Sequence, residues 1–384
     1  MDLVYRTGTR RCREPAETLE MIGPLLGPAG ITRLADITGL DVLGIPVAQA
    51  IRPLAATVSV SQGKGATLDA AMAAAAMEAL ELQAAEDAVP APAFTGPAAD
   101  LDLGYDLTGL DLGPGSLVTE RTTLDWIMAR GAITGREVPV PRDLVWLGQR
   151  AGADWRPGMI SPTSNGLAGG NTRAEAAAHA LYEVIERDAG AALAAVPPPR
   201  RRYLDLDTAP PGWCAELVAR VLAAGAWLEV AHAPSRLGLP GFAAYLWAED
   251  YGAALASGAG THADPAVALA RAITEAAQSR LAHIAGARDD LAAHLYPPPG
   301  EPGLRPAAQG AAEDWAALAG QPAWSCRTDE EEAATAARLV AEAAGAEPMI
   351  VTLASRPEMA VVKVLCPGLA VSREHIPRQR RATA

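Results

Sequence analysis

The chain has 384 residues, and half of them are apolar although only 4% are aromatic. This length allows one large domain or two ordinary ones, with a sizeable core built mainly from Ala, Leu and Val. The formal net charge of -13 argues against a general nucleic-acid-binding protein, because such proteins need basic side chains to neutralise phosphates.

The N-terminal stretch MDLVYRTGTRRCREP has no apolar signal core, and no run approaches the length of a membrane span. The cysteines are widely spaced and form no CxxC pair, so neither a zinc site nor a disulfide framework is expected. They are Cys12, Cys214, Cys326 and Cys366. We therefore expect a soluble cytoplasmic protein with reduced thiols, and a catalytic cysteine is kept as an alternative.

Apolar periodicity and Pro/Gly punctuation divide the chain into elements. Helices are expected over 15–30, from Thr67 onwards, and over 172–195, 211–224, 264–285 and 328–345. Strands are expected within 31–53, at 56–62, in a hairpin over 117–149, near 226–231 and 242–248, and twice within 348–369. The Pro- and Gly-rich residues 88–116 and 297–322 predict a cover segment and a linker.

The helices alternate with paired strands rather than following a strict βαβ rhythm. This order predicts an α+β fold with largely antiparallel sheets packed by helices. We expect an N-terminal segment over 1–55, followed by a single large domain over 56–384. Within that domain, internal similarity predicts pseudo-repeats near 56–87, 161–195 and 258–290.

The repeat is visible in two long helices. TLDAAMAAAAMEALE (67–81) aligns without gaps to TRAEAAAHALYEVIE (172–186), which matches Glu78 with Glu183 and Glu81 with Glu186. Both helices begin with a threonine, a good N-cap, after the glycine-containing loops SQGKGA and NGLAGGN. A looser third copy, HADPAVALARAITEAAQSR (262–280), carries Glu275. Shared alanine-rich composition is the alternative explanation, but it accounts less well for two ExxE pairs at one distance from a glycine loop.

Each ExxE pair places two carboxylates on one side of a helix. If the two helices lie side by side, four carboxylates meet, and buried like charges need cations. Mg²⁺ prefers carboxylate oxygens and bridges them to phosphates, and helix N-termini bind phosphates through backbone N–H groups. Lys64 and Arg187 are then expected to balance phosphate charge, and Asn171 to hydrogen-bond a ligand. Glu175 lies on roughly the same helix face as Glu183.

Other interpretations of these motifs remain open. GKG is not a Walker A loop, because the GxxxxGK[ST] pattern is absent. An isolated ExxER is often a solvated helix face with an internal ion pair. Di-iron carboxylate proteins are a rival class, but their helices pair Glu with His at a spacing of three, and His179 precedes Glu183 by four.

Three motifs together resemble the YcaO superfamily. They are SQGKGAT…MEALE, GLAGGNTRAEAAAHALYEVIERDA and ALARAITEAAQSRLAHIAGARDD, and the likeness spans about residues 30–370. The opening GITRLADITGLDVLGIPV, continued by AQAIRP, resembles the subgroup that works with a TfuA-type partner protein. The resemblance implies a YcaO-type ATP-binding fold unrelated to the P-loop.

The resemblance also implies a reaction. Family members use ATP and Mg²⁺ to phosphorylate the oxygen of a peptide-backbone amide, which turns a poor leaving group into a good one. In azoline-forming members a neighbouring Cys, Ser or Thr side chain then attacks the activated carbon. In TfuA-associated members an external sulfur donor is implied instead, and the product is a backbone thioamide.

The family's functional residues carry over by position. Glu78, Glu81, Glu183 and Glu186 match its Mg²⁺-binding glutamates, and Glu78 and Glu186 are expected to be essential for catalysis. The positions that match nucleotide contacts are Lys64, Asn171, Glu175, Arg187, Gln278 and Arg280. Arg280 is expected to steady the γ-phosphate as a catalytic residue, as arginines do in other phosphoryl transfers, with an ion pair to nearby acids as its alternative role.

The sequence departs from the family pattern at four positions. Ala74 and Ala168 stand where serines are common, Leu82 replaces an arginine, and His179 replaces a glutamine. These changes leave the predicted metal ligands intact. His179 is expected to face the nucleotide or the substrate, with a purely structural role as the alternative. The C-terminal SREHIPRQRRATA contains one proline, unlike the proline-rich tail of many azoline-forming members, which favours thioamidation.

We therefore expect a thioamide-forming enzyme with a TfuA-like protein, a peptide or protein substrate and a sulfur donor as partners. The family likeness suggests a homodimer, and neither a nucleic acid nor a membrane is expected as a partner. An azoline-forming cyclodehydratase is the first alternative. A non-catalytic ATP-binding scaffold is the second, and a di-metal oxidoreductase, which would hold iron or manganese without nucleotide, is the third.

Overall fold

The computed structural model describes residues 1–148, 159–249, 255–291, 306, 310–320 and 322–370. Its helices are α1 (Pro15–Leu26), α2 (Leu68–Asp87), α3 (Arg173–Ala194), α4 (Trp213–Ala223), α5 (Pro265–Ala285), α6 (Trp315–Leu318) and α7 (Asp329–Ala344). Its strands are β1 (Arg33–Asp36), β2 (Val47–Ile51), β3 (Val60–Lys64), β4 (Phe94–Pro97), β5 (Thr123–Gly131), β6 (Glu137–Pro141), β7 (Leu167–Gly170), β8 (Tyr203–Leu204), β9 (Trp227–His232), β10 (Gly241–Trp247), β11 (Ala256–Thr261), β12 (Ala312–Glu313), β13 (Met349–Ser355) and β14 (Ala360–Leu365).

The described strands form three sheets. The first has the order β1-β2-β3, the second β11-β10-β9-β8-β12, and the third β4-β5-β13-β14-β7 with β6 paired to β5. All pairs are antiparallel except the short β8–β12 pair. The predicted α+β class with antiparallel sheets packed by helices is confirmed. The predicted boundary after residue 55 falls between β2 and β3, in the middle of one sheet.

One construction occurs three times, in β3–α2, β7–α3 and β11–α5. A glycine in each strand packs directly against the backbone of the helix that follows. A Cβ added to Gly63, Gly170 or Gly258 would lie 2.1, 2.5 or 2.3 Å from the backbone nitrogen of Ala75, Ala176 or Ala276. Such close approach requires glycine in the strand and a small residue on the helix. This contact explains why the three long helices bury so much alanine.

The three helices also start alike. Thr67, Thr172 and Asp264 each act as N-cap, and each side chain accepts a hydrogen bond from a backbone N–H of the first turn. These contacts satisfy N–H groups that the helix itself leaves unpaired, which fixes the first residue of each helix. Residues at equal distances from the caps therefore occupy equivalent places on the three helices.

The remaining core is aliphatic. One cluster packs α1 and α2 against β5 and β13, a second packs α4 and α5 against β9 and β10, and a third packs α3 and α7 against β14. Trp126 and Phe242 are the largest fully buried aromatic side chains of the described residues. Within the described part of the chain, no helix combines the length and apolar character that a membrane span needs.

Most expected elements are present, with informative differences. The strand expected at 56–62 forms at Val60–Lys64, because residues before it turn and Thr57 bonds the buried Glu86. Strands β7 and β11 were not expected, since LAGG and ASGAGT have few β-branched residues; close helix contact and pairing stabilise them instead. The expected cover segment 88–116 includes β4. Half of the expected linker at 297–322 lies outside the described residues, and its described half includes β12 and α6.

Candidate active site

A cleft of about 790 Å³ lies among α2, α3, α5 and the first residues of the chain. All four glutamates of the two ExxE pairs line it, together with Glu275 of α5. The cap-to-glutamate distance is the same in α2 and α3, so Glu78 is equivalent to Glu183 and Glu81 to Glu186. The structure thus brings the predicted acidic residues to one place.

Three of the four carboxylates are held individually by backbone N–H groups of the glycine-containing strands. Glu78 accepts from Gln62 at 2.8 Å, Glu81 from Gly169 at 2.5 Å, and Glu186 from Thr261 at 3.0 Å. Two of these bonds run to the strand of the next unit, from α2 to β7 and from α3 to β11. The carboxylates therefore also link the three units around the cleft.

The acidic groups resist ionisation in this arrangement. Burial, together with nearby Glu78 and Glu183, raises the pKa of Glu81 to about 8. Burial also raises the pKa of Glu183 to about 7, although Arg187 opposes this, and it raises the pKa values of Glu78 and Glu186. Carboxylates in this condition are stabilised by added positive charge.

The donor set fits hard divalent cations. Carboxylate oxygens are the ligands that Mg²⁺ prefers, and the positions beside them are open to the cleft for phosphate. Among the described residues, no three acidic, His or Cys side chains are already gathered into a metal cage. The four carboxylates line one cleft, and in the metal-free chain three of them are each held by a separate strand N–H.

Cations surround these carboxylates. Arg187 lies 3.7 Å from Glu183 and Arg271 lies 3.8 Å from Glu186, longer than good ion-pair hydrogen bonds. Both guanidinium groups line the cleft. If Mg²⁺ were bound by these carboxylates, both arginines would be available to phosphate oxygens.

Glu275 differs from the other acids. Lys64 Nζ lies 2.8 Å from its carboxylate. Burial opposes ionisation of Glu275, but Lys64 and Arg187 outweigh it and lower its pKa to about 2. Lys64, predicted as a nucleotide contact, therefore lies in the cleft with an anionic partner already in place.

Asn171 and Glu175 line the cleft, but their side chains hydrogen-bond to each other and to residues near the N-terminus. The Asn171 amide donates to Glu175 at 3.1 Å, and its oxygen accepts from Thr18 at 2.9 Å. Glu175 also accepts from the Cys12 backbone N–H at 2.8 Å. Burial opposes ionisation of Glu175, but Arg11 and the Cys12 N–H outweigh it and lower its pKa. This pair holds residues 11–12 at the cleft.

His179 lies between two arginines. Its Nδ1 is 3.3 Å from Arg11 and its Nε2 is 3.4 Å from Arg271. Burial and the two guanidinium groups lower the pKa of His179 well below its usual value, so the imidazole is neutral. The prediction that His179 faces the ligand space is consistent with its place on the cleft wall.

Arg280 requires a correction. Its guanidinium is buried against Asp41, with Nε and Nη2 both 3.0 Å from carboxylate oxygens, and it is not among the cleft-lining residues. The expected role as a catalytic γ-phosphate contact is therefore not supported, because α5 turns Arg280 towards the loop after β1. Gln278, by contrast, lines the cleft as expected.

Arg271 is a cleft residue that sequence reasoning missed. It stands at the same distance from the Asp264 cap as His179 from Thr172, so the third repeat, read residue by residue, contained the signal. The structure also adds Arg11, Arg13 and Arg288 to the cleft wall. Ala74 and Leu82, which depart from the family pattern, line the cleft too, whereas Ala168 is buried in β7.

The cysteines do not support the alternative of a cysteine nucleophile. All four are free, and none lines the cleft. Burial raises the pKa of the Cys214 thiol to about 12 and raises the pKa values of Cys12, Cys326 and Cys366. Thiols in that condition are poor nucleophiles.

Comparison with known proteins identifies the family. The model of the YcaO family, described as an ATP- and Mg²⁺-binding cyclodehydratase, matches residues 62–370. This chain belongs to the YcaO family. An uncharacterized protein of Mycobacterium tuberculosis is 40% identical over 377 residues, which cover 96% of this chain and 84% of the relative. The expected cofactors of this YcaO protein, ATP and Mg²⁺, are confirmed.

Two solved structures share the YcaO fold. YcaO from Methanopyrus kandleri bound with AMPPCP and Mg²⁺ has a TM-score of 0.70 at 24% identity, over 96% of this chain and 94% of that one. A heterocyclase in complex with substrate and cofactor has a TM-score of 0.73 at 20% identity. The match covers 97% of this chain but only 55% of that longer one.

A further relative bears on the subgroup. A protein of Rhizobium leguminosarum bv. trifolii, described as uncharacterized and in the tfuA 3' region, is 37% identical over 298 residues, 74% of this chain and 70% of the relative. The proline-poor C-terminal tail used in the sequence argument lies outside the described residues.

Proposed function

We propose that this YcaO protein uses ATP and Mg²⁺ to phosphorylate the oxygen of a peptide-backbone amide and replaces that oxygen with sulfur. The observation that supports this proposal best is the common cleft that unites Glu78, Glu81, Glu183 and Glu186 with Lys64, Arg187 and Arg271. Such a site can hold Mg²⁺ on its carboxylates and triphosphate oxygens on its cations. Bound Mg²⁺ supplies charge neutralisation for the transferring phosphoryl group.

The proposed reaction has two steps, phosphorylation of the amide oxygen and its replacement by sulfur. The amide oxygen attacks the γ-phosphorus of ATP and ADP leaves, which forms an O-phosphorylated amide. A sulfur nucleophile then attacks the amide carbon, and phosphate leaves with the former amide oxygen. In this proposal Lys64, Arg187 and Arg271, which line the cleft, bind phosphate oxygens and orient the triphosphate.

Two observations favour sulfur as the incoming atom. The relative in the tfuA 3' region lies beside the gene for the proposed partner type, and residues 30–53 of this chain resemble the TfuA-associated subgroup. We accordingly propose a TfuA-like protein and a sulfur donor as partners, with homodimer formation as a further expectation. Azoline formation is the second candidate, because the family model is described as a cyclodehydratase.

Product mass distinguishes the two candidates. The purified protein is incubated with ATP, Mg²⁺, sulfide, a TfuA-like partner and a short peptide encoded beside its gene. Exchange of one oxygen for sulfur supports thioamidation, whereas loss of one water that depends on a Cys, Ser or Thr in the peptide supports azoline formation. Binding of ATP with no release of ADP under these conditions would instead support a non-catalytic scaffold.

A further inference from the structure

Gln62 of β3 carries a polar side chain that none of the contacts described above involves. The residue is 3% exposed, and neither the nitrogen nor the oxygen of its carboxamide has a hydrogen-bond partner among the described residues. Buried polar groups are nearly always hydrogen-bonded, because an unpaired donor or acceptor that has lost its water destabilises the fold. Gln62 lines the cleft, so a ligand bound there is positioned to supply the missing partners.

The pleat of β3 determines which way Gln62 faces. Gly63 faces α2, where an added Cβ would lie 2.1 Å from the helix backbone. Neighbouring side chains of a strand point to opposite faces, so Gln62 and Lys64 share the face turned towards α5. The 2.8 Å contact between Lys64 and Glu275 lies on that face. The backbone N–H of Gln62 meanwhile donates to Glu78 at 2.8 Å, so the unused carboxamide belongs to the residue that holds a proposed Mg²⁺ ligand.

The strand–helix construction does not require a carboxamide at this position. Counted back five residues from each N-cap, the places equivalent to Gln62 are occupied by Leu167 before α3 and Ala259 before α5. Both residues are apolar, so the construction accommodates side chains that form no hydrogen bonds there. Folded proteins break such local rules mainly at functional sites, and the break at Gln62 lies on the cleft wall.

The unused groups indicate the chemistry of the ligand. A carboxamide has an acceptor oxygen and a donor nitrogen in one plane, so it pairs with a ligand that offers an N–H and a carbonyl close together. A peptide backbone offers both. Adenine also offers a donor and an acceptor, but it lies at the far end of the nucleotide from the β- and γ-phosphates that Mg²⁺ bridges. Because Gln62 is bonded to Glu78, its place is beside the metal rather than the base.

We infer that the Gln62 carboxamide binds the backbone of the peptide substrate and orients the amide that is phosphorylated. Its oxygen accepts from the N–H of the reacting amide, which raises the electron density on the amide oxygen, and its nitrogen donates to a neighbouring backbone carbonyl. The reacting oxygen stays free to attack the γ-phosphorus. This inference rests on the proposed function and adds a substrate-binding residue to it.

A binding test observes the carboxamide directly by NMR. The full chain is labelled at glutamine nitrogen, and the side-chain signals of Gln62 and Gln49 are assigned by their loss in Q62M and Q49M. Gln49 is the matched reference, because it pairs with Gln62 across the sheet, is buried with an unpartnered nitrogen and does not line the cleft. AMPPCP with Mg²⁺ is added first, and acetyl-triglycine N-methylamide, which offers backbone amides without reactive side chains, is added second. The peptide is expected to shift the Gln62 signal and to leave the Gln49 signal unchanged.

A kinetic test compares the two methionine variants. Q62M keeps the length and approximate shape of the side chain but cannot form the hydrogen bonds, and it removes two buried unpartnered groups, so its denaturant midpoint should equal or exceed that of the original chain. In ADP release stimulated by the same peptide, the KM for the peptide is expected to rise about tenfold in Q62M, while the KM for ATP stays within about twofold. Q49M makes the same chemical change outside the cleft and is expected to alter neither KM.

A Gln62 signal that shifts with AMPPCP but not with peptide would assign the residue to the nucleotide and overturn the inference. Absence of a shift with either compound, or equal KM changes in Q62M and Q49M, would overturn it too. If the peptide shifts the Gln62 signal but the original chain releases no ADP, the proposed phosphorylation fails while peptide binding by Gln62 stands.

Discussion

Helices α2, α3 and α5 are built alike, but the ExxE glutamates of α2 and α3 differ from the glutamate of α5 in the direction of their pKa shifts. All three begin at a capped residue, pack alanines on a strand glycine and carry a glutamate at the same place. In α3 the carboxylates have only loose contacts with cations, such as Arg187 at 3.7 Å from Glu183, and the pKa values of Glu81 in α2 and Glu183 in α3 rise to about 8 and 7. In α5, Lys64 compensates Glu275 and its pKa falls to about 2.

The difference separates two roles for one residue type. A buried carboxylate that has no close cation from the protein is stabilised when it binds an external cation. A carboxylate that already has a protein cation beside it instead holds that cation in position. Under the proposed function, Glu78, Glu81, Glu183 and Glu186 serve Mg²⁺, and Glu275 holds Lys64 at the phosphate position. Under that proposal, two of the three similar helices supply metal ligands and the third supports Lys64.

The largest effect should come from removing an uncompensated carboxylate. E78Q and E186Q keep the shape and the acceptor for the strand N–H but remove a metal ligand. We expect ADP release and product formation to fall about 100-fold or more in each, with a cooperative unfolding transition retained. Steady-state assays and thermal melts measure the two properties. Normal turnover in both variants would reject these glutamates as metal ligands.

The packing of a strand glycine against a helix backbone should be equally sensitive to substitution in the α2 and α5 units. G63A in β3 and G258A in β11 each place a Cβ within 2.1 and 2.3 Å of a helix backbone nitrogen. Each should destabilise the fold by about 3 kcal/mol or more, because strand and helix must move apart. Denaturant unfolding measures this, with G23A as control: Gly23 lies in α1 with open space around it, and alanine there should be neutral or slightly stabilising.

Much of this arrangement is readable from the sequence. Alanine periodicity, the threonine caps and the matched ExxE pairs predict α2 and α3, their equivalence and the acidic face that lines the cleft, because these features are local. The Gly-rich strands β7 and β11 were not predictable, since their stability comes from the helix and neighbouring strands rather than from β-propensity.

Side-chain partners were harder to predict than helices. Arg280 and Arg271 lie on the same helix, and only the packing of α5 decides that Arg271 enters the cleft while Arg280 pairs with Asp41. Arg11 is separated from His179 by most of the N-terminal half, and no local pattern links them. The Lys64–Glu275 pair likewise joins distant segments, so the compensation of Glu275 is visible only in the folded chain.

Removing the compensated carboxylate should have a smaller effect than removing a proposed metal ligand. In E275Q, Lys64 retains a neutral partner and stays near its place, so we expect the KM for ATP to rise about tenfold or less. Glu275 has a folded-state pKa below its unfolded value, so it stabilises the fold above about pH 4.5 and loses that effect as pH falls towards 2. E275Q should therefore be less stable by about 1 kcal/mol at pH 7, after allowance for partial solvent screening.

Kinetics and denaturant unfolding at pH 7 and pH 4 test this prediction. A loss of turnover in E275Q as large as in E186Q would remove the distinction between the helices. A stability difference that grows as the pH falls would contradict the assigned sign.

The smallest expected effect is a gain in stability rather than a loss, in the variant E81Q. Burial raises the folded-state pKa of Glu81 to about 8, so the metal-free folded chain binds a proton more tightly than the unfolded chain. Stability is then lost as pH rises from about 4.5 to 8, and E81Q, which cannot ionise, avoids that loss. We expect the free energy of unfolding of metal-free E81Q to exceed that of the original chain by about 1 kcal/mol at pH 8.5 and to equal it near pH 4.5. Addition of AMPPCP with Mg²⁺ should stabilise the original chain more than it stabilises E81Q. Denaturant unfolding at both pH values, with and without ligand, measures the stability difference between E81Q and the original chain. If E81Q is less stable than the original chain at pH 8.5 without metal, Glu81 already has a cation partner in the protein, as Glu275 does.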